Sequence, residues 1–183
     1  MEEHDVVDDI GARAGSLLRC CPSLSQDDLV ALESIVVPWS ASRGRSLAQL
    51  LGLWLRHVDR FEADAELDPS EWNRPNVLTA YDYVAALVLR DALESGLGLS
   101  ADTAARVPGL VCLATIDARF RQMTRDDNPG LGLLGSLVAP LANASIGDGW
   151  WWSRVPAGGP VLAELLEVKD AESTRSHSRD VGN

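Results

Sequence analysis

The sequence predicts an all-α protein, a single irregular helical bundle of about six to seven helices with a Gly/Pro-rich C-terminal section. Apolar residues recur at three- and four-residue spacing through most of the chain, while alternating apolar/polar runs are scarce. Ser and Asp residues followed closely by acids stand where helices should start, and prolines stand where they should stop. The 183 residues, 46% of them apolar and 23% charged, suffice for one domain with a sizeable core, assigned to 1–169, with a polar mobile tail over 170–183.

Residues 4–20 place Val6, Val7, Ile10, Ala14, Leu17 and Leu18 on one stripe that ends before Pro22. Ser25 and Asp28 form a capping box that opens a helix over 26–37, with Leu29, Leu32 and Val36 inward and Pro38 as its stop. The longest apolar stripe, Leu47, Leu51, Trp54, Val58, Phe61 and Ala65, predicts a helix over 43–66. Asp68-Pro69-Ser70-Glu71 reads as N-cap, first-turn proline and capping acid of a short helical turn. A helix over 76–95 follows, with Gly96 as its C′ residue, and then a helical stretch from Ser100 that Pro108 should divide. The piece over 109–125 buries Leu113, Ile116, Phe120 and Met123. Residues 128–147 carry no charge. Pro140, Asn143 and several glycines make that span a buried, partly helical segment rather than a membrane helix. Gly158-Gly159-Pro160 forms a turn, and 161–168 a last short helix.

The charge excludes more than it identifies. With 27 acidic and 16 basic residues the net charge is −11, which opposes a nucleic-acid partner because phosphate binding needs a basic surface. Residues 1–100 hold 17 acids and 8 arginines, a net of −9. Six of those acids fall between Asp59 and Glu71. Asp59, Glu62, Asp64 and Glu66 are therefore the expected docking face for a basic protein partner. The acidic N-terminus lacks a basic n-region and an apolar h-region, so no secretory signal is expected. Cys20, Cys21 and Cys112 have no metal or disulfide-framework spacing. Both features point to a cytoplasmic protein with reduced, buried thiols.

No catalytic constellation is expected. His4, His57 and His177 are scattered and have no metal-ligand spacing, and no nucleophile elbow occurs. Gly130-Leu131-Gly132-Leu133-Leu134-Gly135 spells a dinucleotide fingerprint but follows a helix rather than a strand. Asp126, Asn128 and Gly130 resemble a calcium loop whose twelfth position is Leu137 rather than Glu. No cofactor, metal or catalytic residue is assigned. Trp150-Trp151-Trp152-Ser153-Arg154 is the most unusual run, because three consecutive large aromatics cannot all face one core. Trp150, Trp151, Trp152 and Arg154 are therefore candidate binding residues, with Trp72 and Arg74 in the Trp72-Asn73-Arg74-Pro75-Asn76 loop as a second candidate. The expected function is a non-enzymatic acidic protein-binding module, such as an inhibitor or neutralising protein for a basic partner. The alternative is a small-molecule binder or small enzyme whose pocket between helices is lined by Trp, Tyr81, Tyr83 and Arg119. A homo-oligomer is compatible with either.

Overall fold

The computed structural model describes residues 15–40, 43–99, 103–127, 132–138 and 148–180. Most of these are helical: α1 (15–20), α2 (Gln26–Ser34), α3 (Leu47–Ala65), α4 (Ala80–Leu99), α5 (Thr103–Met123), α6 (Leu133–Val138) and α7 (Pro160–Asp180). Two short antiparallel ribbons, β1 (Val36–Ser40) with β2 (Arg43–Ser46) and β3 (Thr124–Asp126) with β4 (Arg154–Pro156), complete the fold with two 3₁₀ turns. The expected all-α class is what the chain adopts.

Local chemistry explains where elements begin. Ser25 and Asp28 form the reciprocal capping box at α2. Helix α3 starts at Leu47 rather than at 43. Ser46 Oγ accepts the Gln49 N–H at 3.1 Å and Gln49 Oε1 accepts the Ser46 N–H at 3.3 Å, a second capping box. The preceding Arg43–Ser46 is strand, paired Val36↔Ser46, Val37↔Arg45 and Pro38↔Gly44. Thus α2 stops at Ser34 instead of 37, because Val36 and Val37 are β-branched and Pro38 has no N–H to continue a helix. Helix α4 begins at Ala80, not 76, where Thr79 and Asp82 cap each other at 2.9 and 3.2 Å.

Glycine and proline depart from expectation twice. Gly96 does not end α4, which runs to Leu99. Gly96 is buried, and a Cβ there would meet the side chains of Val37 and Leu47, so its role is close packing. Pro108 does not divide α5. It removes one bond in the second turn, while Gly109 beside it packs so closely that a Cβ would stand 2.8 Å from Leu97 and 3.0 Å from Leu32. Helix α7 opens with Pro160 at its first position and reaches Asp180, through most of the segment whose polar composition predicts a tail. Residues 4–14 of the first expected helix, Gly130 of the fingerprint, and most of the uncharged 128–147 span lie outside the described residues.

The chain divides into two compact units. The first joins the segment up to Asp59 with Val88–Phe120, and Leu17, Leu32, Leu50, Leu51, Trp54, Leu93, Leu97 and Ile116 are fully buried there. The second joins Arg60–Leu87 with the chain from Arg121 onward, around Tyr83, Leu87, Val155, Val161 and Leu165. Among the described residues, no helix is long and apolar enough to cross a membrane.

Candidate functional site

The second unit contains an open cleft of about 370 Å³. One wall is the loop from Trp72 to Thr79, and the other is the first two turns of α7 with Pro160, Ala163, Glu164 and Glu167. The loop is held by its own polar groups. Asp68 caps the 3₁₀ turn Pro69–Glu71 by accepting the Ser70 N–H at 2.9 Å, and these bonds hold its carboxyl below the usual carboxylate range. Trp72 is half-buried and donates its indole N–H to the Leu67 carbonyl at 3.2 Å. Arg74 is exposed and pairs with Glu71 one turn back.

Two carboxylates stitch the base of this loop. Asp64 accepts the Leu78 N–H at 2.8 Å and Glu164 accepts the Ala80 N–H at 2.6 Å. Each satisfies an amide donor at or just before the start of α4, where negative charge is favoured by the helix dipole. Glu167, three residues beyond Glu164 and on the same face of α7, remains exposed along the cleft. The cleft thus presents one indole, prolines on both sides, Arg74 and the exposed Glu167 carboxylate of α7, with Glu164 held by the Ala80 amide.

The tryptophan run is largely packed against the protein. Trp151 and Trp152 are each 5% exposed, and only Trp150 is half-buried. Trp150 meets Trp151 edge-to-face with ring centroids 5.8 Å apart, and the Arg121 guanidinium lies 3.6 Å above the Trp150 ring. Arg154 is equally occupied. It donates to Thr124 Oγ1 at 2.7 Å, to the Thr124 carbonyl at 2.6 Å, to the Arg121 carbonyl at 3.3 Å and to Asp126 at 2.9 Å. These bonds fasten the β3–β4 ribbon, paired Thr124↔Pro156, Arg125↔Val155 and Asp126↔Arg154. Beneath the ribbon, Tyr83 donates its hydroxyl to the Arg154 carbonyl at 3.0 Å and stacks edge-on against Phe61 at 5.2 Å. The cavity beside Phe61, Tyr83 and Val161 measures about 20 Å³, room for one water rather than a ligand.

In the first unit the polar chemistry is internal. Arg90 and Asp117, 4% and 3% exposed, form a bidentate pair at 2.9 to 3.1 Å. Asp117 also accepts the Trp54 indole N–H at 3.0 Å, and Arg90 reaches Glu94 at 2.9 Å. Removing one partner from such a pair costs about 3–5 kcal/mol, because the other charge stays buried alone. The cluster fixes how α3, α4 and α5 meet.

The expected acidic face is dispersed by these roles. Asp59 belongs to the first unit and pairs with Arg119 at 2.7 Å. Asp64 serves the Leu78 amide, Glu62 is half-buried, and Glu66 is exposed. Of the residues expected in an aromatic pocket, Tyr81 is exposed, Tyr83 is buried and Arg119 is engaged by Asp59 and Cys20. Sequence reasoning missed Glu164 and Glu167, although their three-residue spacing on an amphipathic helix was the available signal. It also missed a covalent bond: Cys21 and Cys112, expected as separate thiols, are joined as a disulfide. A separation of 91 residues hides such a pair from spacing rules.

Among the described residues, no group of three His, Cys, Asp or Glu side chains is placed to hold a metal ion. Comparison with family models, with curated proteins and with solved structures finds no match.

Proposed function

We propose that the protein is a non-enzymatic binding module that takes a basic segment of a partner protein in the Trp72–Glu167 cleft. The observation that carries this reading is the cleft itself, which sets the Trp72 indole and Pro75 opposite the exposed carboxylate of Glu167. An extended Arg- or Lys-containing segment matches it. The aliphatic stem of the basic side chain lies along Trp72 and Pro75, and its charged head meets Glu167. The chain's net charge of −11 supports the same choice of partner through long-range attraction.

Support for the small-molecule reading is weaker. Tyr83 and Arg154, two of the side chains suited to a ligand, spend their polar atoms on the protein, and the cavity at Tyr83 is water-sized.

Calorimetric titration with an Arg/Lys-rich peptide, beside its alanine-substituted counterpart, tests the proposal. Binding should weaken about tenfold on Glu167→Gln and on Trp72→Ala, and should be unchanged on Glu33→Gln in the first unit. Equal binding by all four proteins would remove the cleft as the site. No binding of the basic peptide to the wild type would end the basic-partner reading.

A further inference from the structure

All three cysteines of the chain lie at one place in the first unit. Cys21, at the end of α1, is bonded to Cys112 in the middle of α5, with Cα atoms 5.4 Å apart, inside the ordinary disulfide range. Both residues are 0% exposed among the core side chains of Leu17, Leu113 and Ile116. Cys20, half-buried beside them, accepts a hydrogen bond from Arg119 at 3.8 Å, and Arg119 also pairs with Asp59 of α3 at 2.7 Å. One covalent bond and two weaker polar ties therefore join α1, α5 and α3 at one spot.

We propose that the Cys21–Cys112 bond is a redox-operated clamp that holds the end of α1 on α5. A dithiol reductant opens it by thiol–disulfide exchange. Its first thiolate attacks one cysteine sulfur, releasing the other as a thiolate that takes up a proton. Its second thiol then closes on the mixed disulfide, leaving two cysteine thiols and the oxidised reductant. Two unbonded sulfurs must stand roughly 1.5 Å further apart than two bonded ones. A close-packed core has little such space, so reduction loosens the packing of α1 against α5. Without the disulfide the Arg119–Cys20 hydrogen bond still ties α5 to α1, while the Arg119–Asp59 pair, which joins α5 to α3, is partly solvent-exposed. Because both sulfurs are buried, a reductant reaches them only when α1 lifts, so the reduction rate reports that local opening.

The test combines thiol counting with melting. Denatured without reductant after air oxidation, the full chain should carry one alkylatable cysteine, Cys20, and three after dithiothreitol. The oxidised protein should melt about 5–15 °C above the reduced one. Its reduction should be at least about tenfold slower under native conditions than in denaturant. The Cys20→Ser variant should keep the full shift in melting temperature, and Cys21→Ala/Cys112→Ala should melt as the reduced form whatever the redox state. Should the double variant fail to fold, the oxidised-against-reduced comparison in Cys20→Ser carries the same information. Three alkylatable cysteines before reduction, or equal melting of the two redox forms, would overturn the clamp.

Discussion

The Tyr83 hydroxyl sits in the core of the second unit with the Arg154 carbonyl as its acceptor. Burial pushes its pKa well above the ordinary value of 10.0, with Arg154 acting in the opposite direction and Asp127 adding to the rise. The linkage sign follows from protons bound. Below pH 10 the phenol is protonated in both folded and unfolded chains and contributes no slope. Above it the unfolded chain releases the proton while the folded chain keeps it, so stability falls as pH rises. Tyr83→Phe should cost about 1 kcal/mol near pH 8 through the lost hydrogen bond. The variant should also lose less stability than wild type between pH 9 and 11, measured by urea unfolding; parallel pH curves would refute this. At this scale the sequence was informative about residue type but not about partners. The Trp150–Trp152 run was legible as special, since three adjacent indoles cannot be equivalent, and Trp150 is indeed the one left half-buried. That Arg154 would be consumed by the β3–β4 ribbon, or Asp117 by Arg90 and Trp54, depends on contacts 27 to 63 residues apart. No local pattern encodes those.

Elements were legible wherever a cap or a periodic stripe was strong. The Ser25–Asp28 box and the Asp68-Pro69 start appear as read, and the α3 stripe is buried from Leu47 to Phe61. The misplaced boundaries share one cause: helical periodicity extends a few residues past the point where a competing local interaction takes over. Ser46 with Gln49 and Thr79 with Asp82 set the actual starts of α3 and α4. The turn before α7 shows the same local control and can be tested. Gly159 has φ +84°, and a Cβ there would lie 3.2 Å from the Ala65 Cα. Gly159→Ala should therefore destabilise the protein by about 1–3 kcal/mol through left-handed strain and crowding. Gly158→Ala, whose Cβ would meet nothing within 4 Å, is the control. Denaturation midpoints displaced equally by the two substitutions would show that the turn tolerates side chains at either position.

For the whole molecule the decisive quantity is charge and where it is spent. Of the acids between Asp59 and Glu71, Asp59, Asp64, Asp68 and Glu71 are bound to the protein itself, so the uneven charge along the sequence overstated the free acidic face. Glu167 lies in the less acidic C-terminal half, yet its exposed carboxylate lines the cleft, beside a Glu164 that is itself spent on the Ala80 amide. Net charge and local wall charge should then act on different steps of binding. The field of a −11 chain steers a basic segment toward the molecule, and this attraction weakens as salt shortens the screening length from roughly 20 Å at 20 mM to about 7 Å at 200 mM. The contacts proposed inside the cleft with Trp72 and Glu167 are short-range and should be screened much less. For an Arg/Lys-rich peptide, the association rate should drop about tenfold over that salt range while the dissociation rate changes less than about threefold. Trp72→Ala should do the reverse, raising the dissociation rate at every salt concentration with little effect on association. Stopped-flow mixing with a labelled peptide separates the two rates. An association rate indifferent to salt would mean that the acidity of this chain does not guide its partner.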